Sequence, residues 1–396
     1  MLKRLHLLLA LFILTVNAAM AQITTSGISG KITSDGENVI GATVTATHQP
    51  SGTVYRAVTN IDGRYTIQGM RPGGPYKVDI SYIGYKDKVI KNLNLSLGET
   101  ENISCSLQED AHQLQEVVVS GKAGLAASRT GAATSMTAEQ INNMPSITHG
   151  IADVARLNPQ LTVTNSGNMS FAGVNNRYNN FMIDGAANND VFGLASSGNN
   201  GGQAGAKPES METIEQIQVS VAPFDVRQSG FTGGAINAIT KSGTNQFHGS
   251  AYYYGYNQDL IGTKYPYLDG TGYAPKYQKQ TQYNMGVTLG GPIIKNKLFF
   301  FANYERTNKE YPNLYGVDSG NSKVNTEQAK DILTMLQKIA EKQGVNFNDY
   351  YSNQDIYTKS DKAGLKLDWN INDKHKLTLG WRLVYAKQLN GNSSAT

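Results

Sequence analysis

The chain has 396 residues, a formal charge of +4, 39% hydrophobic and 17% charged residues, and a mean hydropathy of −0.38, with 41 glycines, 22 tyrosines and one cysteine. A lone cysteine excludes an internal disulfide framework, and a small net charge without a basic run beyond the first residues argues against a nucleic-acid binder. Abundant glycine and tyrosine with few charges point to a β-rich, turn-rich exported chain.

Lys3 and Arg4 precede the apolar run Leu5 to Val16 and then Ala19-Met20-Ala21. That order marks residues 1–21 as a secretory signal peptide, with the mature chain starting at Gln22. A run of about a dozen apolar residues is too short to cross a bilayer as a helix, and no later segment offers about 20. No cysteine follows the cleavage point to accept lipid. A membrane location would require strands.

Residues 22–108 carry short runs of strand formers: ISGKIT, ATVTAT, YRAVT, RYTIQGM, KVDISYIGY, KVIKNLNL and NISCSL. Between them fall the turn signals Asp35-Gly36, Asp62-Gly63, Pro72-Gly73-Gly74 and Leu97-Gly98. Such spacing predicts a small β-sandwich, in which Cys105 is a small half-buried strand residue. Gly30, Gly41-Ala42, the run Thr59 to Tyr65, Pro72-Gly73 and Gly84-Tyr85 give this stretch a specific look. It resembles the carboxypeptidase-regulatory-like domain, a transthyretin-like accessory module. The six histidines, at 6, 48, 112, 149, 248 and 375, are scattered and lack any metal-ligand spacing. No catalytic constellation, metal or cofactor is expected, and the chain does not read as an enzyme.

Residues 109–135 contain QLQEVVVSG followed by KAGLAASRTGAATS. Val117, Val118 and Val119 are β-branched and favour an extended backbone. Two readings stay open on the pattern: a last strand of the preceding sandwich, or a segment that pairs with another protein's sheet.

Residues 136–244 read as a mixed α/β unit. One helix is predicted at Ala138 to Asn143, ended by Pro145, and another at Ile151 to Leu157, ended by Asn158-Pro159. Strands are predicted at Leu161 to Val163, Asn180 to Ile183, Ile214 to Val221 and Ala235 to Thr240. FAGVNNRYNNFMIDGAANND, METIEQIQVSVAPFD and GFTGGAINAITKSGTN follow in order. Together they resemble the plug domain of TonB-dependent outer-membrane receptors, in the Oar-like and SusC-like branch. The resemblance rests on Gly173, Asp184-Gly185, the strand around Glu215, Gly233-Gly234, Asn237, Thr240 and Lys241, read as turn and close-packing positions. Where many such receptors carry Arg-Gly-Pro, this chain has Val221-Ala222-Pro223-Phe224 and keeps only Pro223. Ligand identity therefore does not carry over from the iron receptors.

From 245 to 396 the pattern alternates. Tyr283, Met285, Val287 and Leu289 interleave with Asn284, Gly286, Thr288 and Gly290; Leu365, Leu367 and Trp369 with Gly364, Lys366 and Asp368; Leu377, Leu379, Trp381, Leu383 and Tyr385 with Lys376, Thr378, Gly380 and Arg382. One apolar and one polar face suit a transmembrane β-barrel with lipid outside and water inside. Long connections near 259–279 and 309–357 alternate with short ones at 292–297 and 370–374, as extracellular loops alternate with periplasmic turns. In the second long loop Asn325 can cap a helix, with Gln328 at N3 and Ile332, Met335, Leu336 and Ile339 on one face, expected to pack on neighbouring loops. The segment holds about five strands, whereas plugged barrels close with about 22, so the expectation is an N-terminal fragment of a receptor of about 1,000 residues.

The resemblance implies a mainly β protein that actively transports a ligand across the outer membrane of a Gram-negative bacterium. It implies that Leu114, Gln115, Glu116, Val117, Val118 and Val119 form the TonB box, lying in the periplasm and adding a strand to TonB of the TonB–ExbB–ExbD complex. The Gly/Ala/Ser tether of about fifteen residues would transmit a pull to the plug. Ligand would bind between plug and barrel loops; glycan, peptide and metal chelate stay open, and a surface lipoprotein is a further candidate partner besides outer-membrane lipid. Asn188 to Lys207 is too polar and glycine-rich for a core, so it is assigned to an apical loop in which Asn188, Asn189, Asp190 and Phe192 contact ligand. The alternative is a surface structural, adhesion or export-related protein that uses the barrel as an anchor and needs no energy coupling.

Overall fold

The computed structural model describes residues 24–109, 117–120, 132–144, 146, 149–164, 168–190, 192–195, 197–221, 231–260, 265–266, 273–274, 279–313, 326–344, 355–373 and 375–390. No helix among them is long and apolar enough to cross a membrane.

The first unit is a two-sheet sandwich. Its strands are β1 (Ser26–Ser34), β2 (Glu37–Asn38), β3 (Thr43–His48), β4 (Thr53–Val58), β5 (Arg64–Met70), β6 (Gly73–Ser81), β7 (Lys88–Leu95), β8 (Thr100–Asn102) and β9 (Cys105–Ser106). In one sheet β1 pairs antiparallel with β2 and β5 and parallel with β8 and β9; the other runs β7-β6-β3-β4. Inward-facing Ile28, Ile32, Val44, Tyr76, Val78 and Ile80 alternate with outward polar residues and fill the space between the sheets. Asp35-Gly36 takes positive φ at both positions, closing the β1–β2 hairpin as a primed turn requires. Cys105 is half-buried and unpaired, and burial pushes its thiol up. A further strand, β10 (Val117–Ser120), joins the second sheet at its edge by parallel pairing with β7.

The second unit is a mixed sheet with two short helices. Its strands are β11 (Ala132–Thr137), β12 (Leu161–Val163), β13 (Met169–Phe171), β14 (Asn180–Ile183), β15 (Ala186–Ala187), β16 (Ile214–Val221) and β17 (Gly234–Thr240), in the order β11-β16-β17-β14-β15, with β12 and β13 as a separate hairpin. Helix α1 (Ala138–Asn142) starts with a capping box between Thr137 and Gln140. Helix α2 (Ile151–Ala155) stops two residues earlier than predicted. The Leu157 and Asn158 amides bond three residues back, to Val154 and Ala155, so the final turn tightens. Phe171, Phe181, Ile183, Ile217, Val219 and Ile236 form its core.

The third unit is a five-stranded antiparallel sheet, β18 (His248–Asn257), β21 (Thr281–Ile294), β22 (Leu298–Tyr311), β23 (Ile356–Asn370) and β24 (Lys376–Leu389), with the short pair β19 (Tyr265–Pro266) and β20 (Tyr273–Ala274) in its first long loop. It is an open sheet, the start of a barrel. Met285, Val287, Leu289, Leu365, Trp369, Leu379, Trp381 and Leu383 are exposed on the outer face, while Phe299, Phe301, Glu305 and Lys362 are buried on the inner one. On that inner face glycines oppose larger residues: Gly286 pairs with Tyr252, Gly290 with His248 and Gly364 with Asn303. A Cβ at these glycines would lie 2.4, 2.8 and 2.3 Å from the Tyr252 hydroxyl, His248 Nε2 and Asn303 Oδ1, so those side chains lie flat across the wall. Helix α3 (Thr326–Lys342) forms where predicted, but its stripe does not pack as expected: Ile332, Met335 and Ile339 are exposed, because no neighbouring loop among the described residues reaches them.

Candidate functional site

The mixed unit meets both neighbours, and its functional geometry lies in those contacts. Asp184 and Gly185 take φ of 49° and 78° and turn the chain from β14 into β15. Beyond turning the chain, the Asp184 carboxylate accepts the Thr240 amide at 2.9 Å and its hydroxyl at 2.7 Å, then reaches the barrel wall. Lys366 on β23 lies 3.2 Å from one oxygen and Arg382 on β24 2.8 Å from the other. Lys366 also donates to the Thr240 carbonyl at 2.9 Å, and Arg382 to the Ile183 carbonyl at 3.0 Å. Burial alone would raise the Asp184 carboxyl, but Lys366, Thr240 and Arg382 together hold it below the ordinary value.

A second link lies higher on the wall. The Ser210 hydroxyl shares a 2.9 Å hydrogen bond with Tyr252, which donates to Glu305 at 2.6 Å, and Glu305 pairs with Lys362 at 2.5 Å. His149 stacks on Tyr254 with ring centroids 3.8 Å apart.

The remaining predicted residues sit as follows. Gly173 turns the chain after β13 with φ of 80°. A Cβ on Gly233 would meet Asn179 at 2.2 Å, and one on Gly234 the Phe171 ring at 2.4 Å. Asn237 is buried in β17 opposite Gln218. Glu215 and Lys241 line a cleft of about 230 Å³ with His48, Arg71 and His248, where sandwich, mixed unit and wall converge. In the loop from 188 to 207, Asn189 accepts the Phe181 amide at 2.8 Å, Asp190 accepts the amides of Phe192 and Ala195, and Asn188 accepts from Asn200 at 2.8 Å. Their polar atoms therefore hold the loop itself, whereas Phe192 is 82% exposed beside exposed Leu194. Gly201 and Gly205 approach Val384, Gln388 and Thr358, at the ends of β23 and β24 far from the short turn joining them.

Leu114, Gln115 and Glu116 lie outside the described residues, as do residues 222–230 with Pro223. Val117, Val118 and Val119 belong to β10, in register with Lys88, Val89 and Ile90 of β7. Sequence reasoning placed Lys366 and Arg382 on the inner face but could not pair them with a residue 182 or 198 positions earlier. It missed Gln216 and Gln218, whose side chains join β16 to the sandwich: Gln216 accepts the Leu97 amide at 2.8 Å and donates to the Leu95 carbonyl at 3.0 Å, and Gln218 donates to the Leu97 carbonyl at 3.0 Å. The one available signal was glutamine alternating with Ile217 and Val219.

Family comparison agrees with this architecture. Residues 27–108 match the carboxypeptidase regulatory-like domain, 126–236 the TonB-dependent receptor plug domain and 239–319 an outer membrane beta barrel domain. The chain is 29% identical over 273 residues to the TonB-dependent transporter Oar of Myxococcus xanthus, a match covering 66% of this chain and 24% of the relative. It is 25% identical over 188 residues to the probable TonB-dependent siderophore receptor PirA of Acinetobacter baumannii, covering 43% and 22%. The crystal structure of that siderophore receptor aligns with a TM-score of 0.44 and 18% identity, over 66% of this chain and 32% of the other. The chain thus spans about a quarter of the length of the curated relatives it matches. With a regulatory-like sandwich, a plug and barrel strands in that order, the chain belongs to the TonB-dependent receptors of the outer membrane, in the form that carries a carboxypeptidase-regulatory-like domain ahead of the plug.

Proposed function

We propose that the protein imports a ligand across the outer membrane, with TonB supplying the pull that remodels the plug. The observation that carries this reading is the Asp184–Lys366–Arg382 contact, which fixes the plug to the inner face of the wall by charge rather than by apolar packing. Such a contact holds a seal at rest and can re-form after each cycle. In this reading the domains are 22–108 sandwich, 109–135 box and tether, 136–244 plug and 245–396 wall, except that the plug sheet already begins at Ala132 of β11, inside the stretch expected to be tether. The sandwich touches the short turns: Arg56 pairs with Asp373 at 2.6 Å, and Asn370 donates to Thr53 at 2.9 Å. Short turns are periplasmic in such barrels, and this contact supports reading the sandwich and box as lying on the TonB side. Ligand, whether glycan, peptide or metal chelate, would meet the plug at its opposite end, where exposed Phe192 and Leu194 offer an apolar platform and Asn188, Asn189 and Asp190 hold its frame.

The test is Val118→Pro in cells carrying the full-length receptor. Proline removes an N–H donor from a strand that must pair with TonB. Energised uptake should be lost for whichever ligand class is transported, while surface binding persists, and Val118→Thr should transport normally. Unchanged uptake by the proline variant would refute the box assignment.

A further inference from the structure

Strand β16 has two unlike faces. Ile217 and Val219 enter the plug core, while Gln216, Gln218 and Ser220 line the other face. Gln216 and Gln218 are nevertheless 2% and 6% exposed, a depth at which amide side chains need partners. Their partners belong to the sandwich: both ends of the Gln216 amide and one end of Gln218 engage the backbone of Leu95 and Leu97. Side-chain amides thus take the place of a neighbouring strand's backbone. The fit is incomplete, because Gln218 Oε1 has no partner among the described residues. Around this contact the sandwich is held by further polar links: Arg56 to Asp373, Asn370 to Thr53, and the Asn245 amide to the Pro50 carbonyl at 2.8 Å. A polar contact with an unsatisfied buried oxygen separates at less cost than an apolar one of similar size.

We propose that the regulatory-like sandwich is a displaceable cap on the plug, latched to β16 by Gln216 and Gln218, and that a pull on residues 114–119 draws it off before the plug is loaded. This rests on the reading of those residues as the TonB-docking strand. The order follows from chain length. Residues 110–113 join the sandwich to that strand and span about 14 Å when extended, whereas residues 120–131 join it to β11 and span about 40 Å. The shorter connection tightens first. Pairing of β10 with β7 acts in the same sense, since a partner adding to the open edge of β10 would pull directly on the strand that runs on to Leu95. Once the sandwich leaves, the Gln216–Ser220 face meets water, and later tension at Ala132 acts on an uncapped sheet.

The experiment is single-molecule pulling on the full-length receptor in a lipid bilayer, through a covalent handle at Leu114→Cys in a background lacking other cysteines. The native latch should give an early, short release that precedes plug extension, and Gln216→Ala with Gln218→Ala should shift that release to clearly lower force, with the links to the wall left in place. Superimposable traces from the two proteins would overturn the proposal. A second measurement guards against misfolding of the double variant. A cleavable thiol cross-link between Leu97→Cys and Gln218→Cys, with the handle attached through an N-terminal tag on the same receptor, should remove the early release until cleaved; an early release that persists in the cross-linked protein also overturns the cap. A tip carrying purified TonB C-terminal domain instead of the handle tests the box separately. Failure of that tip to attach refutes the box and leaves the handle traces to decide the cap.

Discussion

Replacing Asp184 by asparagine keeps the size of the side chain and removes the charge on which two wall cations converge. The D184N side chain can still accept the Thr240 amide, and its nitrogen can donate to the Thr240 hydroxyl once that hydroxyl turns, but the same nitrogen then faces the Arg382 guanidinium, placing donor against donor. Side-chain exposures are 20% for Asp184, 11% for Lys366 and 29% for Arg382, so water screens the loss only partly. A charge-assisted hydrogen bond contributes about 1.5–3 kcal/mol, and stripping one member from a buried ion pair costs about 3–5 kcal/mol. Partial exposure and retained Thr240 contact place this change near the overlap, about 3 kcal/mol. At 1.36 kcal/mol per decade that is about 150-fold in the local opening equilibrium. Hydrogen exchange at the amides of residue 184 and Thr240, on purified full-length receptor, reads that equilibrium directly, since the residue 184 amide bonds Ala238 and the Thr240 amide bonds the carboxylate. Exchange accelerated by less than about threefold would show that the wall cations do not hold the plug. Adding Lys366→Gln should recover part of the loss by removing one orphaned cation.

Gly234→Val should loosen the plug, because even its first carbon would press to 2.4 Å from the Phe171 ring; leakage of a normally excluded antibiotic is the readout, and intact exclusion would place Gly234 outside the packed contact. Deleting Gly198 to Gly205 should weaken ligand binding while sparing membrane insertion and TonB attachment, and full-affinity binding by calorimetry would remove this loop from the ligand face. The sandwich should weaken in acid: His48 is 4% exposed, bonds Ser51 at 2.7 Å, and is pushed down to about 3 by burial, with Arg71 and Lys376 adding to the effect. The unfolded chain takes up its proton below about 6.5 while the folded one stays neutral, so stability present at pH 7 falls as pH drops, by about 2 kcal/mol at pH 5. In the full-length receptor, where Lys376 and the cleft around His48 are present, the thermal midpoint of the sandwich should drop between pH 7 and pH 5 and do so much less in His48→Phe; equal drops in both would assign the acid sensitivity elsewhere.

Local periodicity explains what was readable before the fold was known. Strands β12, β14 and β16 fall where alternation and flanking turn residues predicted, because each is bounded by a Gly, Pro or Asn signal that acts within a few residues. The inner and outer faces of β23 and β24 were equally legible, since period-two alternation needs no knowledge of neighbours. The plug's attachments were not. Asp184 meets Lys366 and Arg382, and Gln216 meets Leu95 and Leu97, only because sheets far apart in sequence come together. No pattern within one strand encodes such a partner. The polar residues of the 188–207 loop show the opposite limit. Asn189 and Asp190 look free for ligand in a sequence, yet short polar side chains bond nearby backbone amides first.

The flat side chains on the inner wall bear on how such receptors could be recombined. Where Tyr252, His248 and Asn303 each lie across a glycine, the clearance left for the plug is written in cross-strand pairs rather than in the number of strands. Grafting this plug into a foreign barrel would then succeed or fail on whether the recipient sets a glycine opposite each reclining side chain. A recipient matched in loop lengths but slipped by one residue would turn those side chains toward lipid and offer the plug the wrong surface. Chimeras of this kind should be chosen by register before they are chosen by overall similarity.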